Sequence, residues 1–324
     1  MRIHLWLVLS LMMTAANARA ESASQISNTN EIRNPDLTIW GEFPRPIRAV
    51  VFNPDGRLLA VADRDKTVGI FDARRGSRST NGFGRISYEH RTKVVGIAFN
   101  GTNALALAWA NQSVWIWEGS EGRGVAVHFG ENAVTSFAPV GQPLLATAAG
   151  KQVTLWNYEK GWALTNFEAN DSSVAAMAFT PDGKSLVIGT WKGVVRVLDV
   201  AAWKMTRIID LDSPIHSLAV TTNCVLLGYG DGTVAMLKFE EQPSIPEVKK
   251  QSGAINAVAF SADGKRFASA SADGTVKVWD AQAMKVICPL EGDGGEALCV
   301  AFSPDGREIV AGDGMGNVNG WWLK

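Results

Sequence analysis

Residues 255–264 read Ile-Asn-Ala-Val-Ala-Phe-Ser-Ala-Asp-Gly, and residues 271–280 read Ser-Ala-Asp-Gly-Thr-Val-Lys-Val-Trp-Asp. The first run alternates apolar and other residues and ends at an Asp-Gly pair. The second begins with an Asp-Gly pair and alternates up to Trp279. Period-two alternation bounded by Asp-Gly predicts β-strands joined by tight turns. A weaker apolar run at 285–290 predicts one more strand.

The same unit recurs along the chain. Its opening returns as Phe-x-Pro-Asp-Gly at residues 52–56, 179–183 and 302–306. Pro presets the backbone of such a turn, and Gly tolerates its left-handed position. Four short strands per unit are typical of a propeller blade, so the sequence predicts an all-β, seven-bladed β-propeller. The closing aromatic or leucine of the units, at steps of 39 to 46 residues, is Phe71, Trp117, Trp156, Leu198, Leu237, Trp279 and Trp321.

The closing motif Asp-Gly-Thr-Val-Lys-Val-Trp-Asp at residues 273–280 resembles the WD40-repeat family, and the resemblance covers residues 37–324. It implies four antiparallel strands per blade and a hydrogen-bonded His–Ser–Asp–Trp set within a blade. Gln251 stands where the family has His, so we expect apolar packing to hold the blades together. The positions to which the resemblance gives a structural role are His90, Trp117, Trp156, Ser269, Asp273, Trp279 and Trp321.

The start of the sequence predicts an exported protein. Residues 1–20 contain Arg2, an apolar run and a small-x-small cleavage site, which is typical of a signal peptide. An uncleaved membrane anchor is the alternative. Cleavage would leave a flexible linker at 21–36 and a propeller at 37–324, located in the periplasm or outside the cell.

The resemblance also implies that a strand from the N-terminal side completes blade 7. Residues 37–43, Leu-Thr-Ile-Trp-Gly-Glu-Phe, are the candidate strand. Pairing there removes an open sheet edge. We therefore expect that trimming the chain through Phe43 opens the ring, whereas trimming only to Arg33 leaves the melting temperature unchanged.

Charge and motifs restrict the function. With 31 Lys and Arg against 32 Asp and Glu, the net charge of −1 offers no electrostatic basis for binding nucleic acid, and no membrane insertion is expected after signal cleavage. The sequence has no nucleophile elbow, zinc-binding helix motif or phosphate-binding loop, so we predict no enzyme, no cofactor and no metal. The acidic stretch at 291–296 is interpreted as a solvated loop rather than a calcium site. Three cysteines in apolar runs are interpreted as small buried hydrophobes.

Trp191 is the most distinctive candidate for binding, because a large aromatic residue in the turn between two strands is a common interaction anchor. The resemblance adds residues that flank the start of the inner strands and precede the second turn, all facing one end of the ring. The candidate partner-binding residues are Arg48, Arg64, Lys93, Trp191, His216, Asn256 and Glu296.

These features predict an interaction scaffold that binds a protein or peptide partner on one face of the propeller. The alternative is an exported propeller enzyme, or a ligand- or metal-binding protein, with its site in the central channel or the loops. Inner-strand stretches such as Ala-Val-Ala at 257–259 are small and apolar, which makes a polar site in the channel less favourable.

Overall fold

The chain forms seven antiparallel β-sheets, which confirms the predicted seven-bladed propeller. Each sheet has an inner, a second, a third and an outer strand, and the outer strand of blade 1 comes in two short pieces. All elements of the described residues are strands. The computed structural model describes residues 33–39, 43–73, 77–78, 86–87, 92–99, 104–110, 113–118, 121–126, 134–139, 141–169, 172–211, 213–239, 249–292 and 294–323.

The strand bounds repeat from blade 1 to blade 7. The inner strands are Ile47–Phe52, Val94–Phe99, Val134–Phe137, Val174–Phe179, Ile215–Val220, Ile255–Phe260 and Ala297–Phe302. The second strands are Leu58–Asp63, Ala104–Trp109, Leu144–Ala149, Ser185–Thr190, Cys224–Tyr229, Arg266–Ser271 and Glu308–Asp313. The third strands are Thr67–Asp72, Ser113–Glu118, Gln152–Asn157, Val194–Asp199, Thr233–Lys238, Thr275–Asp280 and Val318–Trp322. The outer strands are Ser77–Arg78 with Ile86–Ser87, Glu121–Ala126, Trp162–Glu168, Lys204–Asp210, Lys249–Lys250, Lys285–Glu291 and Arg33–Ile39.

The first turn of a blade is built by its own side chains. In blade 6, the Ser261 hydroxyl donates to Oδ1 of Asp263 at 2.6 Å, and the same oxygen accepts the N–H of Lys265 at 3.0 Å. The Ser261 hydroxyl is the main cause of the lowered pKa of the Asp263 carboxyl. The same arrangement recurs at residues 180–184 and 303–307. The repeated motif therefore specifies the hairpin locally.

The core lies between blades rather than within one blade. Seven apolar clusters each join two adjacent blades, and together they cover every interface of the ring. Large residues such as Leu59, Leu105 and Phe267 are fully buried in them. A blade therefore buries its apolar faces only when both neighbours are present.

The N-terminal side of the described chain completes blade 7, as expected. Residues Arg33–Ile39 run antiparallel to Val318–Trp322, with Leu37 opposite Gly320 and Ile39 opposite Val318. The strand begins four residues before the expected position, so residues 33–36 are strand and not linker. It passes through Pro35, which an outer strand tolerates because only one of its edges is paired. The expected signal peptide and the rest of the linker lie outside the described residues.

Beyond this strand, the chain enters blade 1 along the seam with blade 7. Phe43 is buried against Phe71, with ring centroids 6.2 Å apart, and its carbonyl oxygen faces Gly316 of blade 7. The inner strands of blades 1 and 7 are also in contact. The ring is therefore closed by both strand pairing and side-chain packing.

The polar set expected within a blade is complete in blade 6, with Gln251 in place of His. Trp279 Nε1 donates to Ser269 Oγ at 2.8 Å, Ser269 donates to Gln251 Oε1, and Gln251 Nε2 donates to Thr275 Oγ1 at 3.3 Å. Asp273 extends this Trp279 relay, since its Oδ1 accepts the Thr275 hydroxyl at 2.6 Å. The expectation that apolar packing alone holds the blades together is therefore wrong for blade 6. The amide of Gln251 replaces His because it both accepts from Ser269 and donates to Thr275.

The other structural positions vary. Trp156 is buried and donates to Thr147 Oγ1 at 2.9 Å, and Trp321 is buried in the interface of blades 6 and 7. Trp117 lies in the third strand of blade 2, opposite Leu105, but its side chain is outside the described residues. His90 is outside them entirely. The polar set is thus a feature of particular blades.

Candidate interaction surface

One repeated backbone hydrogen bond defines a face of the ring. The first residue after the second strand donates its N–H to the carbonyl of the residue just before the inner strand of the same blade. The pairs are Arg64 with Pro46, Ala110 with Lys93, Trp191 with Ser173, Ala272 with Ala254, and Gly314 with Glu296, at 2.8 to 3.1 Å. These second turns and inner-strand starts form what we call the turn face.

The turn face also carries a repeated β-bulge. In six blades the strand register shifts around the second residue of the inner strand: Arg48, Val95, Ala175, His216, Asn256 and Leu298. A bulge leaves a residue unpaired and redirects its side chain. Three of the candidate residues occupy this position.

Two of those bulge residues connect neighbouring blades. Arg48 Nε donates to the carbonyl of Val95 in blade 2 at 3.3 Å, and Asn256 Nδ2 donates to the carbonyl of Ala297 in blade 7 at 2.9 Å. The sequence analysis did not anticipate this role. In a sequence, this contact between blades could be recognised from a residue with a side-chain N–H donor at the second position of an inner strand.

The structure places all seven candidate residues on the turn face. Arg48, Arg64, Lys93, Trp191 and Glu296 are exposed, and His216 and Asn256 are half-buried. The described contacts bring together two pairs only, Arg48 with Arg64 and Trp191 with His216. Lys93, Asn256 and Glu296 are separate points on the face.

The Arg48 and Arg64 pair concentrates positive charge. Although Arg48 as a residue is exposed, its guanidinium is partly buried where Nε reaches blade 2, and this burial, followed by the charge of Arg64, lowers the pKa of the guanidinium. Two like charges held near each other favour an anionic group between them. This part of the turn face therefore suits a carboxylate of a partner.

Trp191 and His216 meet across the interface of blades 4 and 5. Their ring centroids are 4.9 Å apart and the planes make an angle of 68°. Trp191 is still 48% exposed. A large apolar side chain thus remains available at the surface while one side of it is supported.

Met315 is a residue of the turn face that the sequence analysis missed. It lies in the second turn of blade 7, where Asp313 Oδ1 accepts its N–H at 2.8 Å, and it is 68% exposed. The same sequence feature that identified Trp191, a large apolar residue in a second turn, would have identified Met315. Among its described residues, the turn face therefore has two large exposed apolar side chains, on blades 4 and 7.

Metal-binding groups, membrane-spanning helices, the acidic loop and the thiols are the remaining features of the described residues. Among the described residues, no group of His, Cys, Asp and Glu could hold a metal ion, and no helix is long and apolar enough to cross a membrane. Glu291 and Glu296 of the acidic loop are exposed, and Asp293 is outside the described residues. Cys224 and Cys299 are buried, and burial raises the pKa of the Cys299 thiol to about 12.

Comparison with known proteins gives two family matches. Residues 38–72 and 245–280 match the model of the WD domain, G-beta repeat. Residues 144–223 match the model of the anaphase-promoting complex subunit 4 WD40 domain. These segments fall in blades 1, 3, 4, 5 and 6 of the ring and in the closing strand.

Three of the curated relatives are similar to this chain at 23, 25 and 26% identity. Eukaryotic translation initiation factor 3 subunit I of Lodderomyces elongisporus is 26% identical over 264 residues, 75% of this chain and 68% of that protein. WD repeat-containing protein 55 of Mus musculus is 23% identical over 244 residues, 72% of this chain and 62% of that protein. Telomerase protein component 1 of Rattus norvegicus is 25% identical over 234 residues, 69% of this chain but only 9% of that protein.

Proposed function

We propose that this chain, a WD40-repeat protein, is an interaction scaffold that binds a protein partner on the turn face. The observation that carries the proposal is the exposure of Trp191 on the face that also holds Arg64 and Lys93. Exposed Trp and Arg side chains are the residue types that dominate binding energy at protein interfaces.

The relatives support a role in assemblies. Eukaryotic translation initiation factor 3 subunit I and the THO complex subunit 3 of Arabidopsis thaliana are, by name, subunits of larger assemblies. A rigid ring with variable turns suits such a role, although a fold alone does not dictate function. Propellers of this family are generally not catalytic, and we propose the same for this chain.

Capture of partners from a native extract tests the proposal. The bait is the full chain, compared with a turn-face variant, Arg64→Ala with Lys93→Ala and Trp191→Ala. A matched control, Trp162→Ala with Lys204→Ala and Ile208→Ala, removes three exposed side chains from outer strands. We expect a stoichiometric partner with the full chain and the control, and its loss from the turn-face variant.

Two outcomes would contradict the scaffold. One is a partner that the turn-face variant retains or the outer-strand control loses. The other is the absence of any partner together with a stoichiometric metal or small molecule in the purified protein, which would indicate a ligand-binding or enzymatic role. Retained cooperative melting of both variants is the control for folding.

We also propose that the protein is exported, with residues 1–20 as a cleaved signal. The composition of this segment supports it. Mass spectrometry of the protein expressed with its own N-terminus should find a chain that begins at Glu21 outside the cytoplasm. A full-length chain that stays in the cytoplasm would contradict export and leave the scaffold proposal intact.

A further inference from the structure

Trp191 occupies a turn position where the other described blades carry an arginine or small residues. The equivalent residues include Arg64, Ala110, Ala272 and Gly314, each with the same backbone hydrogen bond. The N–H of Trp191 donates to the carbonyl of Ser173 at 3.1 Å, so the backbone of the turn is fixed in the common geometry. The bulky side chain is therefore an addition to a standard turn and is not needed to form it.

The orientation of Trp191 is supported by His216. The indole and imidazole rings meet at 68° with centroids 4.9 Å apart. His216 also lies against Gly230, where a Cβ atom would be only 2.5 Å from His216 Cε1. The imidazole is thus close to both the indole and the second turn of blade 5. We call Trp191, His216 and Gly230 the aromatic platform.

A positive charge lies directly beside Trp191, because Lys192 follows it in the chain and is exposed. The carboxylate of Asp231, which follows Gly230, is already engaged, since its Oδ2 lies 3.2 Å from Lys250 Nζ and its Oδ1 accepts the N–H of Thr233 at 3.0 Å. Complementary charge on a partner would be a carboxylate, because a cation placed on the indole would be repelled by Lys192.

We propose that the aromatic platform is a docking site for an acidic protein segment that carries a proline or aromatic residue next to a carboxylate. The flat side chain packs on the exposed indole, and the carboxylate pairs with Lys192. A preorganised ring loses little side-chain entropy on binding, which makes it an effective anchor. This inference rests on the proposed function of the turn face and adds the location of the anchor and the chemistry of the partner.

Selection of random 12-residue peptides displayed on phage, with the full chain as target, tests the platform. Enriched peptides are synthesised with a fluorescent label, and their affinities are measured by anisotropy. We expect acidic peptides that contain proline or an aromatic residue. Trp191→Ala should weaken binding by about 30-fold or more, the effect of losing a strong interface anchor.

Two further variants separate the parts of the platform. Gly230→Ala leaves Trp191 in place but displaces His216, and we expect about 5-fold weaker binding. Lys192→Glu should weaken binding about 10-fold at low salt and less at high salt. The matched control is Trp203→Ala, which removes a tryptophan of similar exposure, 41%, before the outer strand of blade 4 and should change affinity less than about twofold.

The possible results distinguish failure of the aromatic platform from failure of the turn face as a binding surface. Peptides that bind Trp191→Ala normally but lose affinity for an Arg64→Ala, Lys93→Ala variant would overturn the platform and leave the turn face as the binding surface. Peptides insensitive to every turn-face substitution, or no enriched peptide, would overturn both. Preference for basic peptides would overturn the proposed chemistry. If Gly230→Ala does not fold, the two exposed positions, Trp191 and Lys192, still provide the test.

Discussion

Blades 6 and 7 are neighbours with the same strand order and turn positions, yet different chemistry holds them together. Blade 6 is built from contiguous chain and contains the Trp279 relay, with Phe267 stacked on Trp279 at 5.5 Å. Blade 7 takes its outer strand from Arg33–Ile39 and has Ala311 at the position of Ser269. Turns and apolar pattern therefore specify a blade, whereas its polar contacts and the origin of its outer strand vary.

Removal of the outer strand of blade 7 should have the largest effect on stability. A chain trimmed through Ile39 exposes the edge of Val318–Trp322, and one trimmed through Phe43 also loses a buried ring at the seam. We expect the melting temperature to fall by at least about 10 °C, equivalent to roughly 6 kcal/mol for a domain of this size. Differential scanning calorimetry provides the measurement.

The control for this prediction is a chain trimmed only through residue 32, which keeps the whole closing strand. It should melt as the untrimmed chain does. Equal melting temperatures for all the trimmed chains would show that the ring does not depend on the closing strand.

The second difference between the blades is a buried acid. Glu308 begins the second strand of blade 7 at the position of Arg266 in blade 6, and its Oε1 has no hydrogen-bond partner among the described residues. Burial, and then the charge of Asp305, raise the pKa of the Glu308 carboxyl from 4.5 to about 7. Arg266 instead donates to the carbonyl of Gly306 at 2.9 Å.

The raised pKa predicts that stability decreases as the pH rises. Between pH 4.5 and about 7, the folded chain keeps a proton on Glu308 that the unfolded chain has released. The contribution of the protonated Glu308 to the free energy of unfolding is therefore complete below pH 4.5 and is lost as the pH rises to about 7. The loss amounts to about 3 kcal/mol. Urea unfolding at pH 4.5 and 8 should show this loss in the natural chain and not in Glu308→Gln. The same pH dependence in both proteins would contradict it.

Sequence patterns are sufficient for the blades because hairpin turns and period-two alternation are local. They are less informative about contacts between blades. The exposure of Trp191 follows from its place in a turn, but its contact with His216 and Gly230 depends on how blades 4 and 5 pack. In the same way, Arg48 and Asn256 were identified as face residues, but their bonds to the next blade were not.

The polar relay is the smallest of the three differences, and one hydroxyl tests it. Ser269→Ala leaves Trp279 Nε1 and Gln251 Oε1 without their partner in a buried site, which should cost about 2 kcal/mol of unfolding free energy. Blade 7 has Ala311 at this position, and Trp321 there is buried all the same. An apolar version of the relay should therefore be tolerated.

This tolerance predicts a specific double variant. Because two unpaired polar groups cost more than an apolar replacement, Ser269→Ala with Gln251→Leu should recover about half of the stability lost in Ser269→Ala, although Trp279 Nε1 still lacks an acceptor. Thr147→Val, which removes the hydroxyl that accepts the N–H of Trp156 Nε1, should cost about 1 kcal/mol. Denaturant unfolding of the three variants gives the ranking. If the double variant is less stable than Ser269→Ala, Gln251 stabilises blade 6 through contacts other than the relay. Blade 6 would then not tolerate the apolar arrangement that blade 7 has at Ala311.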